Sequence, residues 1–445
     1  MVQQQAQLQE MQMREQEEAE TLMQEECEPC QETNPMRYDQ FFELLEVEME
    51  NKVKEIDQLK DSVRKERQGF ISIIETIVKD TFSNRYGNGY VGIKTFGSMA
   101  TELAIETSDV DLVVTGIDSF QSSYNYGREY SGKNQLLRMM QKLYDNLCYL
   151  KDKGLIYKIK FIQGANVPII KLVADLQMIN KSQIEKAIER INLEREEDEE
   201  SGEQKEERKR RSVDLSELGL EAKDIAPTMR YLQVDISIDE QSHQYLKFDN
   251  KGFGNAPRNH SGIDTIYHIQ DLVKKRKDLR PIVMIMKKIF DGTFLSMPYY
   301  GGISSYSLVL MVSAYLKAYD AEKEASISRN LSSFFHFYGS QFKPHMYYLN
   351  GDEIVHCEDP AQRPFQDPFI VLDPLETSNN ISHSTFRIKD IQRALVKAFI
   401  IINKSCEQYQ LLQDDIITAE NMQCQPKQVL ERLITEIKQE YFSPS

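Results

Sequence analysis

The chain has 445 residues, of which 40% are apolar and 28% charged, and its formal net charge is −16. That length accommodates two compact domains with some unpacked chain, and the acid excess argues against a patch-wide grip on nucleic acid, which depends on neutralising phosphates. No apolar run approaches the roughly 18 residues of a membrane span, and residues 1–35, rich in Gln, Glu and Met, lack the layout of a signal peptide, so the sequence reads as a soluble intracellular protein without a membrane partner.

Residues 1–35 are polar and of low complexity and are read as a disordered tail. Within it, Cys27 and Cys30 form one Cys-x-x-Cys pair, which lacks the two further ligands a zinc site needs. The six cysteines are scattered, and reduced thiols are the simpler reading. From Tyr38 to Phe82 the apolar residues recur three and four apart, among them Phe41, Leu44, Leu45, Val53, Ile56, Phe70, Ile73 and Ile74. This is helical spacing, and residues 36–85 are assigned to a helical domain that resumes later in the chain.

An extended stretch, Tyr90 to Phe96, runs into Gly97-Ser98, where a helical turn is expected. Strands follow at Val110–Val114, Leu155–Ile162, Val167–Val173 and Tyr231–Ile238. Residues 86–260 therefore form a sheet domain, interrupted at 181–230 by a solvated insertion. The insertion carries an acidic block at Glu196–Glu200 and a basic one at Arg208–Arg211. From Gly262 the pattern is helical: Ile263–Lys277, Pro281–Phe290, Ser304–Tyr319, Ile327–Phe342 and Ile388–Asn403, with a Pro-rich break at Pro360–Pro374. Residues 261–410 make up this helical domain. Residues 411–445 are an extension with one amphipathic stretch, Val429–Phe442.

The chemistry lies in the strands. In Ser108-Asp109-Val110-Asp111-Leu112-Val113-Val114, alternation sends Val110, Leu112 and Val114 to one face and the two acids to the other, roughly 6–7 Å apart along the strand. In Leu232-Gln233-Val234-Asp235-Ile236-Ser237-Ile238 the same rule buries the even positions and turns Asp235 to the polar face. If these strands pair, three carboxylates converge, and hard oxygen donors of this kind suit Mg²⁺ or Mn²⁺. Two ions held so can drive phosphoryl transfer. The alternative is three solvent-facing acids at strand ends. Gly97-Ser98, 11 residues before Asp109, favours the metal site, because glycine permits close backbone approach to a phosphate and a serine near a helix start offers an amide and a hydroxyl.

Phe96-Gly97-Ser98-Met99-Ala100-Thr101-Glu102-Leu103 followed by Asp109-Val110-Asp111 resembles the signature of the DNA polymerase β-like nucleotidyltransferases. Val167-Pro168-Ile169-Ile170-Lys171 resembles the strand that precedes the third aspartate in that family. Leu279–Lys287 and Gly301–Leu308 resemble the central domain of terminal RNA nucleotidyltransferases. Asp373-Pro374 with Ser378-Asn379-Asn380-Ile381-Ser382 resembles the nucleotide-recognition motif of TRAMP-type poly(A) polymerases. The resemblance spans about residues 38–405, apart from the insertion.

The resemblance implies an α+β protein: a polymerase β-like domain with a mixed sheet, plus a helical central domain. It implies template-independent addition of nucleotides to RNA 3′ ends, with ATP as the nucleotide and Mg²⁺ or Mn²⁺ as cofactor. Uridylate addition on the same fold, or an inactive scaffold of an RNA-processing complex, are the alternatives. Asp109, Asp111 and Asp235 would be catalytic and metal-holding. Gly97, Ser98 and Ser305 would contact the triphosphate, and Lys287 would neutralise a phosphate. Tyr306 would stack on the base, Thr265 would contact the nucleotide, and Asn379 and Asn380 would read the base edge. A protein partner would present the RNA, and a nuclear location is expected. The sequence departs from the family pattern at Glu102, where the motif usually has glycine, and at His383, where an arginine is common.

Overall fold

The computed structural model describes residues 29–86, 91–117, 132–164, 167–179, 229–239, 261–319, 326–411 and 428–442. Of the expected features, the tail before residue 29 with Cys27, and nearly all of the 181–230 insertion with its basic run, lie outside the described residues. The chain divides into two compact units, Ile56–Gln270 and Met1–Glu55 together with Asp271–Ser445.

Two helices open the described chain, α1 (Pro35–Ser62) and α2 (Arg64–Tyr86). The sequence assigns all of 36–85 to the helical domain, but the unit boundary falls within α1, after Glu55. The reason lies in the apolar stripe of α2: Phe70, Ile73, Ile74, Val78 and Phe82 are buried in one core with the sheet.

The Ile56–Gln270 unit is built on five strands: β1 (Gly92–Phe96), β2 (Val110–Thr115), β3 (Ile156–Ile162), β4 (Ile169–Asp175) and β5 (Tyr231–Ile238). A one-turn helix, α3 (Gly97–Ala100), follows β1, and α4 (Gly132–Asp152) precedes β3. The sheet order is β1-β2-β5-β4-β3, with β2 and β5 parallel and the other pairs antiparallel. Val110, Leu112 and Val114 of β2 and Leu232, Val234, Ile236 and Ile238 of β5 face the same core as α2 and α4. The opposite face is therefore the polar one, as strand alternation requires. The long helix α5 (Ser261–Lys275) runs across the boundary between the units.

The second unit contains α6 (Leu279–Phe290), α7 (Ser305–Ala318), α8 (Ile327–His336), α9 (Ile388–Gln410) and α10 (Val429–Tyr441). After His336 the chain makes one π turn, Phe337–Gln341. This shortens the helix expected to reach Phe342, and it seats Phe337, Tyr338 and Phe342 together with Phe334 and Phe369 in an aromatic core. A small sheet of β6 (Tyr347–Asn350), β7 (Glu353–His356) and β8 (Val371–Leu372), in the order β7-β6-β8, frames the loop between Asp373 and Arg387. No described helix is long and apolar enough to cross a membrane.

Candidate active site

Pairing places the acids. Asp111 of β2 lies directly opposite Asp235 of the parallel neighbour β5, and Asp109 stands just before β2. One carboxylate oxygen from each of Asp109, Asp111 and Asp235 lies within 4.8 Å of the other two, and all three residues are half-buried. Burial pushes the Asp235 carboxyl above its ordinary range; Lys171 opposes that shift, and the charge of Asp109 adds to it.

The approach to the triad is fixed by its neighbours. Arg67 of α2 donates to the carbonyl of Glu106, and the Ser108 hydroxyl accepts from the Ile105 amide at 2.9 Å. These bonds shape the loop that delivers Asp109. Phe96, the last residue of β1, pairs with Asp111, so Gly97 begins beside that carboxylate. A Cβ on Gly97 would sit 2.0 Å from Asp111 Oδ2, and the residue has φ +66°. Both facts require glycine there. Ser98 follows, half-buried in α3. The turn is closed by Thr101, whose hydroxyl reaches the carbonyls of Gly97 and Ser98, and by Gln270 of α5, which donates to the Ala100 carbonyl at 3.0 Å. Thr265 lies on α5, half-buried, in the same unit.

In the other unit, Ser304 caps α7 by accepting from the Ser307 amide, which leaves Ser305 exposed and Tyr306 half-buried in the first turn. The Tyr306 hydroxyl donates to Asp373 Oδ1 at 3.1 Å, so the ring is held from its far end. Lys287 of α6 is buried at 8% exposure. Asn379 and Asn380 part company. Asn379 is exposed, whereas Asn380 is buried and bonded at both ends. Its Oδ1 accepts from the amides of Val371 and Ser382, and its Nδ2 donates to Asp367 at 2.7 Å and to the Phe369 carbonyl at 3.2 Å. Asn380 therefore ties its own loop together, so of the two amides expected to read a base only that of Asn379 is exposed. His383, which replaces the arginine of the family pattern, is exposed and contacts Asp367 at 2.8 Å.

Residues 45–188 match the family model of the poly(A) RNA polymerase, mitochondrial-like, central palm domain. The likeness is to poly(A) RNA polymerases. Poly(A) RNA polymerase protein 2 of Saccharomyces cerevisiae is 22% identical over 353 residues, covering 76% of this chain and 44% of that protein. Poly(A) RNA polymerase cid14 of Schizosaccharomyces pombe is 21% identical over 327 residues, covering 70% of this chain and 34% of that protein. The chain thus spans less than half the length of either. In fold it is similar to the polymerase core of TRAMP, an RNA surveillance complex, with a TM-score of 0.55 and 21% identity over 88% of this chain and 93% of that one. These findings bear out the resemblance read from the motifs, and with it the α+β class.

Two residues of this unit gain a structural meaning that the motifs alone did not supply. Lys171 was legible only as part of a strand motif, yet register sets it against Asp235, with Nζ 2.5 Å from Oδ2. The signal was the antiparallel offset between Val167–Lys171 and the strand of Asp235, which fixes which residues face each other. The other is Glu102, which has φ +62°, the left-handed conformation that glycine adopts most readily. This explains the usual glycine of the motif in backbone terms.

Proposed function

We propose that the chain is a template-independent nucleotidyltransferase that adds adenylates from ATP to RNA 3′ ends. The observation that carries nucleotidyl transfer is the convergence of three carboxylates on one sheet face beside a glycine turn that only glycine fits; ATP and RNA as substrates are supported by the likeness to poly(A) RNA polymerases. The donor set is all hard oxygen, which fits Mg²⁺ or Mn²⁺, so Asp109, Asp111 and Asp235 would hold the ions. Bound there, divalent ions would supply charge to polarise an acceptor hydroxyl and to neutralise a departing pyrophosphate.

The remaining roles belong to this chain's own groups. Lys171 opposes the burial that pushes the Asp235 carboxyl up and so favours its charged form. Gly97 lets the chain pass against Asp111, and Ser98 offers its hydroxyl and amide to a phosphate. Lys287 and Ser305 supply contacts to the triphosphate, Thr265 a contact to the nucleotide, and Tyr306 a stacking face for the base, steadied by Asp373. Asn379, the exposed amide, reads the base edge, and Asn380 fixes the loop that presents it. The net charge of −16 supports a protein partner that brings the RNA, and nuclear residence belongs to the same reading.

The test is extension of an RNA primer by purified protein with Mg²⁺ and one nucleotide at a time. ATP incorporation that is lost by at least about a thousandfold in Asp111→Ala is expected, because removing a ligand forfeits several kcal/mol of charge stabilisation. Incorporation of UTP but not ATP would replace the adenylate reading with uridylate addition. No incorporation by either protein would make the chain a scaffold.

A further inference from the structure

The polar face of the sheet does not end at the acids. Register aligns Asp111, Asp235, Lys171 and Lys160 in one row across β2, β5, β4 and β3. Neighbouring strands are about 4.8 Å apart, which puts Lys160 roughly 10 Å from Asp235. Lysines directly opposite each other, as Lys160 and Lys171 are, repel and destabilise a sheet. Such a pairing is better tolerated where an anion lies over it.

Toward the far end of the same face, Tyr157 of β3 and Tyr231 of β5 meet across the intervening β4, with ring centroids 5.4 Å apart and planes tilted by 39°. The register shift between Ile156 and Lys158 lets Tyr157 join this face. Both rings are about half in water, at 56% and 46% exposure. Each carries a cation: Lys158 stands 5.2 Å from the Tyr157 ring and Arg230 5.1 Å from that of Tyr231. Arg230 binds Asp175 at 2.6 Å and Lys171 binds Asp235 at 2.5 Å, so among the described residues of this stretch Lys158 and Lys160 are the cations not set against an acid. As a purely structural pair, two tyrosines would be expected to bury more of their surface than this.

We infer that this strip, from Lys171 and Lys160 to Lys158, Tyr157, Tyr231 and Arg230, is the seat of the single-stranded RNA acceptor immediately upstream of its 3′ end. The strip starts at the acids, runs roughly 13 Å along β5 from Asp235 to Tyr231, and combines cations for phosphates with open aromatic faces for bases. That pairing is what sequence-tolerant binding of a single strand requires. In a chain of net charge −16, a local basic strip is also what electrostatics demands of any RNA track. The inference rests on the nucleotidyltransferase reading above and adds to it where the acceptor lies.

The test uses the full chain with Tyr157→Ala/Tyr231→Ala, the control Tyr157→Phe/Tyr231→Phe, and Lys160→Glu, each checked for an unchanged melting curve. Binding of a fluorescent 15-nucleotide RNA is measured without divalent ions, and extension of that RNA is measured at varied RNA and at varied ATP. The double alanine variant should weaken binding and raise the KM for the 15-mer at least about tenfold, one lost stack being worth about 1–3 kcal/mol. The KM for ATP should stay within about twofold, and the phenylalanine control should behave as wild type. Lys160→Glu should reduce the salt dependence of binding. Unchanged binding in the alanine variant, or a wild type that binds no RNA, overturns the track; the former would leave this face to a protein partner. Wild type that binds RNA in a Tyr157- and Tyr231-dependent way but transfers nothing overturns the enzymatic reading alone.

Discussion

Asp111 and Asp235 are far apart in sequence, yet they stand opposite each other on adjacent strands; Asn379 and Asn380 are neighbours in sequence, yet one is exposed and the other is bonded into its loop. The acids follow from local rules, since alternation decides their face and the apolar positions between them decide which face is buried. The amides do not. Their fates depend on which groups of β8 and of the Asp367–Phe369 segment come near them, and that is tertiary wiring. A charged row on a sheet can thus be read from one strand at a time, whereas an amide in a loop has to be seen with its partners.

The largest expected effect sharpens the sheet side of this contrast. In Gly97→Ala the new Cβ would lie 2.0 Å from Asp111 Oδ2 on a backbone at φ +66°. Either the carboxylate or the turn must move. Primer extension should fall at least about a hundredfold, since shifts of about 1 Å at a reacting centre cost that much. Binding of RNA without divalent ions should be unaffected. Activity within a fewfold of wild type would show that the turn and the acid are not coupled.

The two asparagines test the other side. Asn380→Ala strands the buried amide of Ser382, while the Val371 amide keeps the Ser382 hydroxyl at 2.9 Å, so a loss of about 1–3 kcal/mol should appear in chemical denaturation. Asn379→Ala should leave stability within about 0.5 kcal/mol and change the preference for ATP over UTP instead. The reverse pattern would assign base reading to Asn380 and refute the division.

What the sequence revealed follows the same line. The five strands and most helices were legible from period and punctuation, and the triad from two short motifs. Helix α4, Gly132–Asp152, was not singled out, although Leu136, Met139, Met140, Leu143 and Leu147 carry its buried stripe; charged and polar residues between them dilute the pattern. The small sheet of β6, β7 and β8 was hidden because strands of four and two residues are too short to show a period. Lys171 acquired a meaning only once the β4–β5 register was known.

Carboxylates extend the comparison to the helical unit. Glu48 of α1 accepts from the Leu430 amide at the start of α10 at 3.0 Å. Burial lifts its carboxyl to about 7, opposed by the backbone donors at Leu430 and Glu431. The folded state therefore holds this proton more tightly than the unfolded chain, whose glutamates titrate near the ordinary value. Its contribution to stability is present at low pH and declines as pH rises through the window between the ordinary range and about 7. Glu48→Gln removes that titration while keeping an acceptor for Leu430. The melting temperature of the variant relative to wild type should rise between pH 5 and pH 8. A difference that stays constant over this range would mean that Glu48 ionises normally in the fold.

The smallest effect lies next to the triad, at Glu102. A non-glycine residue in the left-handed region costs roughly 1–2 kcal/mol, and glycine gives back part of that gain through its freer unfolded chain, about 0.5–1 kcal/mol. Glu102→Gly should therefore stabilise the protein by about 1.5 kcal/mol at most. The substitution also removes a negative charge from the segment after Ser98, where a triphosphate would approach. If the acid lies near enough to matter, the KM for ATP should fall in low salt and the gain should shrink as salt screens it. An unchanged KM beside increased stability would show that Glu102 points away from the nucleotide and that the usual glycine serves the backbone alone.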